Sequence, residues 1–446
     1  MESSARDLLR LALPIVIAQL ALVVNAAMDT AMAGRLSAID LAAVGIASSI
    51  MVTILMSLLS VLLALPPLIS HLYGAQRYSE VGHEMHQGFW ISVAISFAAM
   101  LLLGHPGPFI AISNLQPAVE IKVRSYLAAS VWGVPATAAL RLFAGFSTGI
   151  GHPRPVMFFN LFALLLKIPL NLVFMYGHLG FQAMGAAGCA VASALDAWLV
   201  ALLAWTWCLI QPDYRKFGLK GRISPPRKAA IAEFLKLGLP IGLTFVADVT
   251  AFTFMALLIA RLGPFYSAAH QIAANLAVLA YMFPLALGNA ASVLVGHALG
   301  SKEPEKARHA AKVATAIGIA IAIFFCLFLN LGASRIAALY TTDVRVRILA
   351  IPLIMLVGFY HLGDAIQAIA VNALRGYKKT VLPMMIYAVS LWGIGLGGGF
   401  LLGLTDMLGP QRNAAGFWMG GIASIWLVAA LTLVYLGRVS REFLRP

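Results

Sequence analysis

The 446 residues are 61% hydrophobic and only 11% charged, with a mean hydropathy of +0.90, whereas a soluble globular chain is about 45 to 50% apolar and about 25% charged. That excess of apolar surface excludes a soluble globular domain, and the lack of short alternating strand patterns excludes a membrane barrel. The net charge of +14 invites a nucleic-acid partner, but the cations are sorted by loop along the chain, which points to a bilayer and its anionic lipids and to no nucleic acid.

Crossing the hydrocarbon layer takes about 20 apolar residues per helix, and about twelve blocks of that order follow one another. The first six cover residues 8–34, 41–70, 89–112, 125–150, 156–176 and 186–211. The second six cover 232–260, 267–299, 309–331, 345–374, 380–404 and 414–437. Their Gly and Pro residues are tolerated in membrane helices, where neighbours re-satisfy the freed backbone groups. The first block is long, carries Asp29 near its end and is followed by no polar domain, so it is expected to stay as a helix rather than to be cleaved as a signal peptide. Asp40, an acid just before the second apolar run, is expected to cap that helix. Cys189, Cys208 and Cys326 fall inside apolar blocks without metal-like spacing and are expected to serve as small packing residues.

With a cytoplasmic N-terminus, nineteen Lys and Arg residues, Arg445 among them, fall on the inner side and eight on the outer side. The positive-inside rule then places both termini in the cytoplasm of a bacterial-type inner membrane and requires an even number of spans. The chain also repeats itself. Leu235, Leu237, Leu239, Pro240 and Ile241 follow Leu9, Leu11, Leu13, Pro14 and Ile15 at an offset of 226. The same offset pairs Arg35-Leu36 with Arg261-Leu262 and His71 with His297 without a gap. The expected fold is an all-α polytopic membrane protein, with twelve transmembrane helices in two parallel six-helix repeats. Residues 1–211 form the N-terminal lobe, 212–230 a basic cytoplasmic linker and 231–446 the C-terminal lobe.

Charged groups in mid-membrane cost roughly 2.5 to 3.5 kcal/mol on insertion scales and persist mainly where they face an interior or a cavity. Six stand out: Asp29, Arg141, Lys167, Asp196, Asp248 and Asp364. The repeat partners of Asp29, Asp248 and Asp364 are Met255, Leu22 and Ala139, so symmetric packing did not call for these acids. At about 1.5 Å per residue, Asp248 and Asp364 both lie within about 6 Å of mid-height. One face of the tenth helix presents Tyr360, Asp364 and Gln367, a set suited to a proton or a small cation. Asp29 has Asn25 one turn below it and sits higher, toward an outward cavity. Lys167 and Asp196 lie midway along adjacent helices and are expected to form a neutralised pair, with Asp29 as the competing partner of Lys167. Arg141 either joins that network or snorkels toward the inner surface. His270-Gln271 is polar near the outer end of the eighth block and is a candidate lining of the passage.

Nucleotide loops, metalloprotease helices and nucleophile elbows are absent from the sequence, so no enzyme and no cofactor is expected. The energy source is then an ion gradient, worth about 2.3 kcal/mol per charge per 100 mV.

The run Met28-Asp29-Thr30-Ala31-Met32-Ala33-Gly34, followed by Asp40-Leu41-Ala42-Ala43-Val44, resembles the first helix pair of the multidrug and toxic compound extrusion (MATE) family, of the NorM-like kind. Pro169-Leu170-Asn171 with Tyr176-Gly177, Gly185 to Cys189, Leu239-Pro240-Ile241-Gly242 and Ala373-Leu374-Arg375-Gly376-Tyr377-Lys378 resemble the same family in the same order. The resemblance covers nearly the whole chain, and the Leu374-Arg375-Gly376 run is its most specific element. It implies two six-helix lobes exporting bulky organic cations in exchange for sodium or protons, with Asp364, Asp29 and Asn171 on the family's polar positions. Two departures stand out: the acid of the seventh helix, usually Glu, is Asp248, and a position often Asn is Lys167.

The sequence therefore reads as an organic-cation antiporter working as a monomer in the bilayer. Asp364, Asp248, Tyr360 and Gln367 form its cation-coupling site, with H+ as coupling ion or Na+ held at Asp248 and Asp364. Asp29, Asn25, Asn171, Lys167 and Asp196 form its N-lobe polar site. The rival readings are a lipid-linked oligosaccharide flippase of the same superfamily and a non-transporting scaffold or receptor.

Overall fold

The computed structural model describes residues 2–113 and 115–444, and among them every regular element is helical. Arg445, counted above with the inner-side cations, lies outside the described residues. The helices long and apolar enough to cross a membrane, with the bent pair of α4 taken as one span, begin with α1 (Glu2–Leu36), α2 (Ala38–Gly74), α3 (Tyr78–Gly104), α4 (Pro117–Val131 and Val134–Gly149), α5 (Arg154–Phe174) and α6 (Ala186–Ile210). The second set is α7 (Lys228–Ala260), α8 (Pro264–Gly300), α9 (Pro304–Tyr340), α10 (Val344–Gly376), α11 (Val381–Leu404) and α12 (Asn413–Glu442). Each overlaps one of the twelve apolar blocks, and the largest shortfall is at α3, which ends at Gly104 where the block was expected to run to 112. The repeat is visible in the helix starts: Ala38 and Tyr78 begin α2 and α3 226 residues before Pro264 and Pro304 begin α8 and α9.

Three local features depart from straight helices, each with a sequence cause. α4 bends by 52° at Trp132-Gly133, just before Pro135, whose ring and missing N–H break the ladder. α2 tightens into a 3-10 stretch over Ser60–Ala64 ahead of Pro66 and Pro67. α11 widens into a π-helix over Leu391–Gly398, a run with glycines at 393, 395, 397 and 398. Here α11 and α12 pack backbone to backbone, since a Cβ on Gly420 would stand 2.5 Å from the Gly399 nitrogen. Such small-residue approaches drive helix association where lipid offers no hydrophobic contrast.

The expected cap at Asp40 is corrected. Ser37 is the N-cap of α2, its Oγ accepting from the Asp40 nitrogen at 2.9 Å while donating to Asp40 Oδ2 at 2.6 Å. Asp40, three residues on, is buried and instead ties helices together: Oδ1 accepts from Lys122 Nζ at 2.7 Å and from the Ala186 nitrogen at 2.9 Å at the start of α6.

The described chain forms two compact units, one from Ile17 to Gly242, the other joining the chain up to Val16 with that from Leu243 onward. They do not follow the expected split at 212–230. The cause is packing of the first turns of α1 and α7. Leu8, Ala12 and Ile15 share a core with Ala286 and Ala290 of α8, whereas Phe234 and Leu237 of α7 share one with Leu62 and Leu65 of α2.

The linker is fastened to α3. Gln87 donates from Nε2 to the Pro225 carbonyl at 3.1 Å and accepts from the Arg227 nitrogen at 2.7 Å. Trp90 Nε1 donates to the Ser224 carbonyl at 2.9 Å, and Lys216 Nζ sits 4.4 Å from the Tyr78 ring centroid. A Cβ on Gly82 would stand 1.9 Å from the Phe217 carbonyl oxygen. Gly82→Ala is therefore expected to lift the linker from α3 at a cost of about 1 to 3 kcal/mol, seen as faster tryptic cleavage after Arg215 and Lys216. An unchanged digestion rate would show that the linker is not held by this contact.

Candidate functional site

In the unit that contains α8 to α12, helix α10 is the central element, packed against α8, α9 and α12. Its N-terminus is fixed by Asp343, whose side chain accepts from the Arg345 nitrogen at 2.8 Å. Because α10 is enclosed, its polar face is buried: Tyr360, Asp364 and Gln367 are 5%, 7% and 5% exposed. Gln367 Nε2 donates to Asp364 Oδ1 at 3.3 Å, one turn away as the spacing requires. Tyr360 packs its ring edge-on against Phe252 and Trp418.

Asp248 comes from α7 in the same unit. Its Oδ1 accepts from the Tyr387 hydroxyl at 2.5 Å, and the next carbonyl back, that of Ala247, accepts from Trp392 Nε1 at 3.2 Å. Two bonds thus fasten α11, at the entry to its π segment, to α7 at the carboxylate. π segments recur at functional sites because they re-aim side chains without ending a helix. Asp248 thus has the Tyr387 phenol beside it, and Asp364 the Tyr360 phenol one turn back on α10. Among the described residues, neither carboxylate has a Lys, Arg or His nitrogen within 4.0 Å. The buried Arg375 of the same helix is spent on Asn372, bonded at 2.9 Å. The C-terminal set thus brings together two carboxylates, an amide and phenols, with no cationic side chain paired to either acid.

The second unit holds a different arrangement. Asp29 Oδ2 pairs with Lys167 Nζ at 3.0 Å, and Oδ1 accepts from Asn171 Nδ2 at 2.8 Å. Lys167 and Asn171 are one turn apart on α5 and reach the same acid together. The expected Lys167–Asp196 pair is corrected. Lys167 Nζ also donates to Ser193 Oγ, three residues before Asp196 on α6, so the ammonium is held by Ser193 and Asp29 and makes no ion pair within 4.0 Å to Asp196. Asp196 is 7% exposed and its Oδ1 accepts no hydrogen bond. Asn25 is half-buried and makes no side-chain hydrogen bond among the described residues. Arg141 does not join this network, its Nη2 facing Met56 Sδ at 3.9 Å. In the other unit, His270 is buried against the Trp418 ring while Gln271 is exposed.

Two site residues escaped the sequence reading. Ser193 gives no signal, since serines are common along membrane helices. Tyr387 does leave one, as a lone phenol within the apolar eleventh block. Chemically the two sets differ in one respect. In the N-terminal set Asp29 already has an ammonium partner, whereas Asp196 on α6 has none within 4.0 Å among the described residues. The two C-terminal acids, Asp364 buried and Asp248 half-buried, are balanced by no cationic side chain among the described residues, and a carboxylate withdrawn from water without such a partner favours uptake of a proton or a cation.

Comparison with known proteins gives a consistent result. The MatE family profile matches residues 14–173 and 240–401. The probable multidrug resistance protein NorM of Chromobacterium violaceum is 37% identical over 99% of this chain and 95% of its own length. That of Aromatoleum aromaticum is 35% identical over 94% and 90%, and the multidrug resistance protein MdtK of Edwardsiella ictaluri 34% over 99% and 97%. Among solved structures, a MATE protein in its straight conformation superposes with a TM-score of 0.89, at 18% identity, over 99% of this chain and 97% of the other. The eukaryotic MATE transporter AtDTX14 gives 0.88, at 18% identity, over 99% and 98%.

Proposed function

Because this chain belongs to the MATE family of membrane transporters, and is a transporter rather than an enzyme, we propose that it exports organic cations across a bacterial inner membrane in exchange for protons. Both termini lie in the cytoplasm in this reading, as the loop distribution of Lys and Arg requires. Asp364 is the main coupling acid and Asp248 its partner, with Tyr360, Gln367 and Tyr387 shaping the site. The observation that carries the reading is the pair of carboxylates on α7 and α10 set among tyrosines and paired to no cationic side chain.

Two acids that sense each other do not both stay ionised cheaply, so they share a proton or hold a cation between them, and their titration belongs to the pair. Either event changes the charge in the site and so biases one conformation of the transporter over another. A sodium site needs several oxygens at fixed positions, a demand like that of other hard cations. Asp248 is one methylene shorter than Glu, and its Oδ1 is already engaged by the Tyr387 hydroxyl. That arrangement favours the proton. The Asp29–Lys167–Asn171 set serves the drug side in this reading, because Asp29 already has an ammonium partner and an amide donor.

The test is efflux of a fluorescent organic cation in everted membrane vesicles. The wild-type protein is expected to move the dye only when a gradient is imposed, and Asp248→Asn to move it without responding to the gradient. A variant that keeps wild-type gradient dependence would remove Asp248 from the coupling site.

A further inference from the structure

In the unit of α8 to α12, helices α9 and α12 both pack on α10 and barely touch one another. That leaves a furrow with a volume of about 480 Å³. It opens at the start of α9 and the end of α12, where Arg308, Lys312 and Arg441 line it. Farther along, Ile319, Leu433 and Leu436 make it apolar. Small residues create the room: Ala311, Ala316 and Gly437 line the furrow, and a Cβ on Gly437 would meet nothing within 4 Å.

The three cations are not consumed by the protein. Among the described residues none of them has a carboxylate oxygen within 4.0 Å, and the neighbouring acid Glu303 is paired with Lys306 at 2.7 Å. Arg308 is half-buried, and Lys312 and Arg441 are exposed. The two hydroxyls in the lining are turned to their own helices, Thr315 to the Ala311 carbonyl and Ser440 to the Gly437 carbonyl. Among the described residues, the furrow thus offers a ligand cationic groups at one end and apolar groups at the other. From Arg308 to Ile319 the furrow follows α9 for about 16 Å, close to the roughly 15 Å of one leaflet's hydrocarbon.

From this we infer that the furrow is a binding site for an anionic phospholipid, with its phosphate on Arg308, Lys312 and Arg441 and one acyl chain along Ile319, Leu433 and Leu436. Basic pockets between membrane helices are suited to such headgroups, and the two ends match the two parts of one amphiphile. A soluble anion would use the basic end and leave the apolar run without a role. A zwitterionic lipid would fill the apolar run and leave three cations unbalanced. Neither Asp248 nor Asp364 lines the furrow, and the site calls for no transport step.

The experiment is native mass spectrometry of the detergent-purified protein incubated with equal amounts of phosphatidylglycerol and phosphatidylcholine of matched acyl chains. The wild-type protein is expected to retain phosphatidylglycerol preferentially. Arg308→Gln/Lys312→Gln/Arg441→Gln should lose roughly 100-fold of that preference while holding phosphatidylcholine as before. Gly437→Phe, which fills the furrow and leaves the cations, should reduce retention of phosphatidylglycerol. The triple variant alters only exposed or half-exposed side chains, and a monodisperse gel-filtration peak confirms its fold. Equal retention of the two lipids by the wild type, or an undiminished preference in the triple variant, overturns the proposal. So does complete displacement of the lipid by millimolar glycerol phosphate, which would mark a site for soluble anions.

Discussion

Asp364→Asn is expected to abolish gradient-driven export while leaving expression, membrane insertion and the detergent-solubilised fold intact. The side chain is 7% exposed on the helix at the centre of its unit, and among the described residues its one hydrogen bond is to Gln367 on the same helix. Asn keeps the size and can still bond Gln367, so packing is retained. What it loses is the ability to gain and release a charge. A buried acid kept without a cationic partner is costly, and the substitution removes that cost, so the variant should melt at or above the wild-type temperature. Loss of transport together with unchanged or raised stability separates a coupling acid from a structural one. A strongly lowered melting temperature would instead mark Asp364 as a packing residue, and full export by the variant would remove it from the mechanism.

The second large effect belongs to Lys167→Ala. Lys167 is 2% exposed and holds Asp29, which is 14% exposed. Removing one partner of such a pair leaves a largely buried charge uncompensated, at about 3 to 5 kcal/mol, with this site near the lower end because Asp29 retains Asn171 and some access to solvent. Replacing both partners with apolar residues, as in Lys167→Met/Asp29→Leu, should recover most of that loss. The Lys167→Met/Asp196→Leu double variant should recover little, since Asp29 is still left unpaired. Thermal melts of the three variants in one detergent decide it. Recovery in the Asp196 double and not in the Asp29 double would reverse the assignment.

That last point shows where sequence reasoning reaches its limit. Spans follow from hydropathy, which is a property of composition, so the eleven unbroken spans and the bent α4 were legible, and the 226-residue repeat was legible from matching residues. The polar face of α10 was legible too, because Asp364 and Gln367 lie on one helix at a spacing the α-helix fixes. The choice of Lys167 between Asp29 and Asp196 was not. It depends on the rotation of α1 and α6 about their axes and on Ser193 intercepting the ammonium, neither of which hydropathy encodes. The link from Tyr387 to Asp248 likewise joins α11 to α7 across 139 residues of chain. Asp40 was placed at the right helix end but in the wrong role, since Ser37 supplies the cap and the Lys122 contact spans 82 residues. The unit boundaries within α1 and α7 were hidden for a related reason: each helix is continuous in sequence, but its first turns share a core with residues far along the chain.

The most direct test of proton coupling at the C-terminal acids uses purified protein in proteoliposomes loaded with a fluorescent organic cation. An inward-acid or outward-acid pH gradient is imposed in sodium-free buffer, followed in a separate run by a sodium gradient at equal pH, for the wild type and Asp364→Asn. Transport by the wild type under the pH gradient alone, absent in Asp364→Asn, is the result expected. Transport driven only by the sodium gradient, or a response to the pH gradient that survives Asp364→Asn, would contradict it.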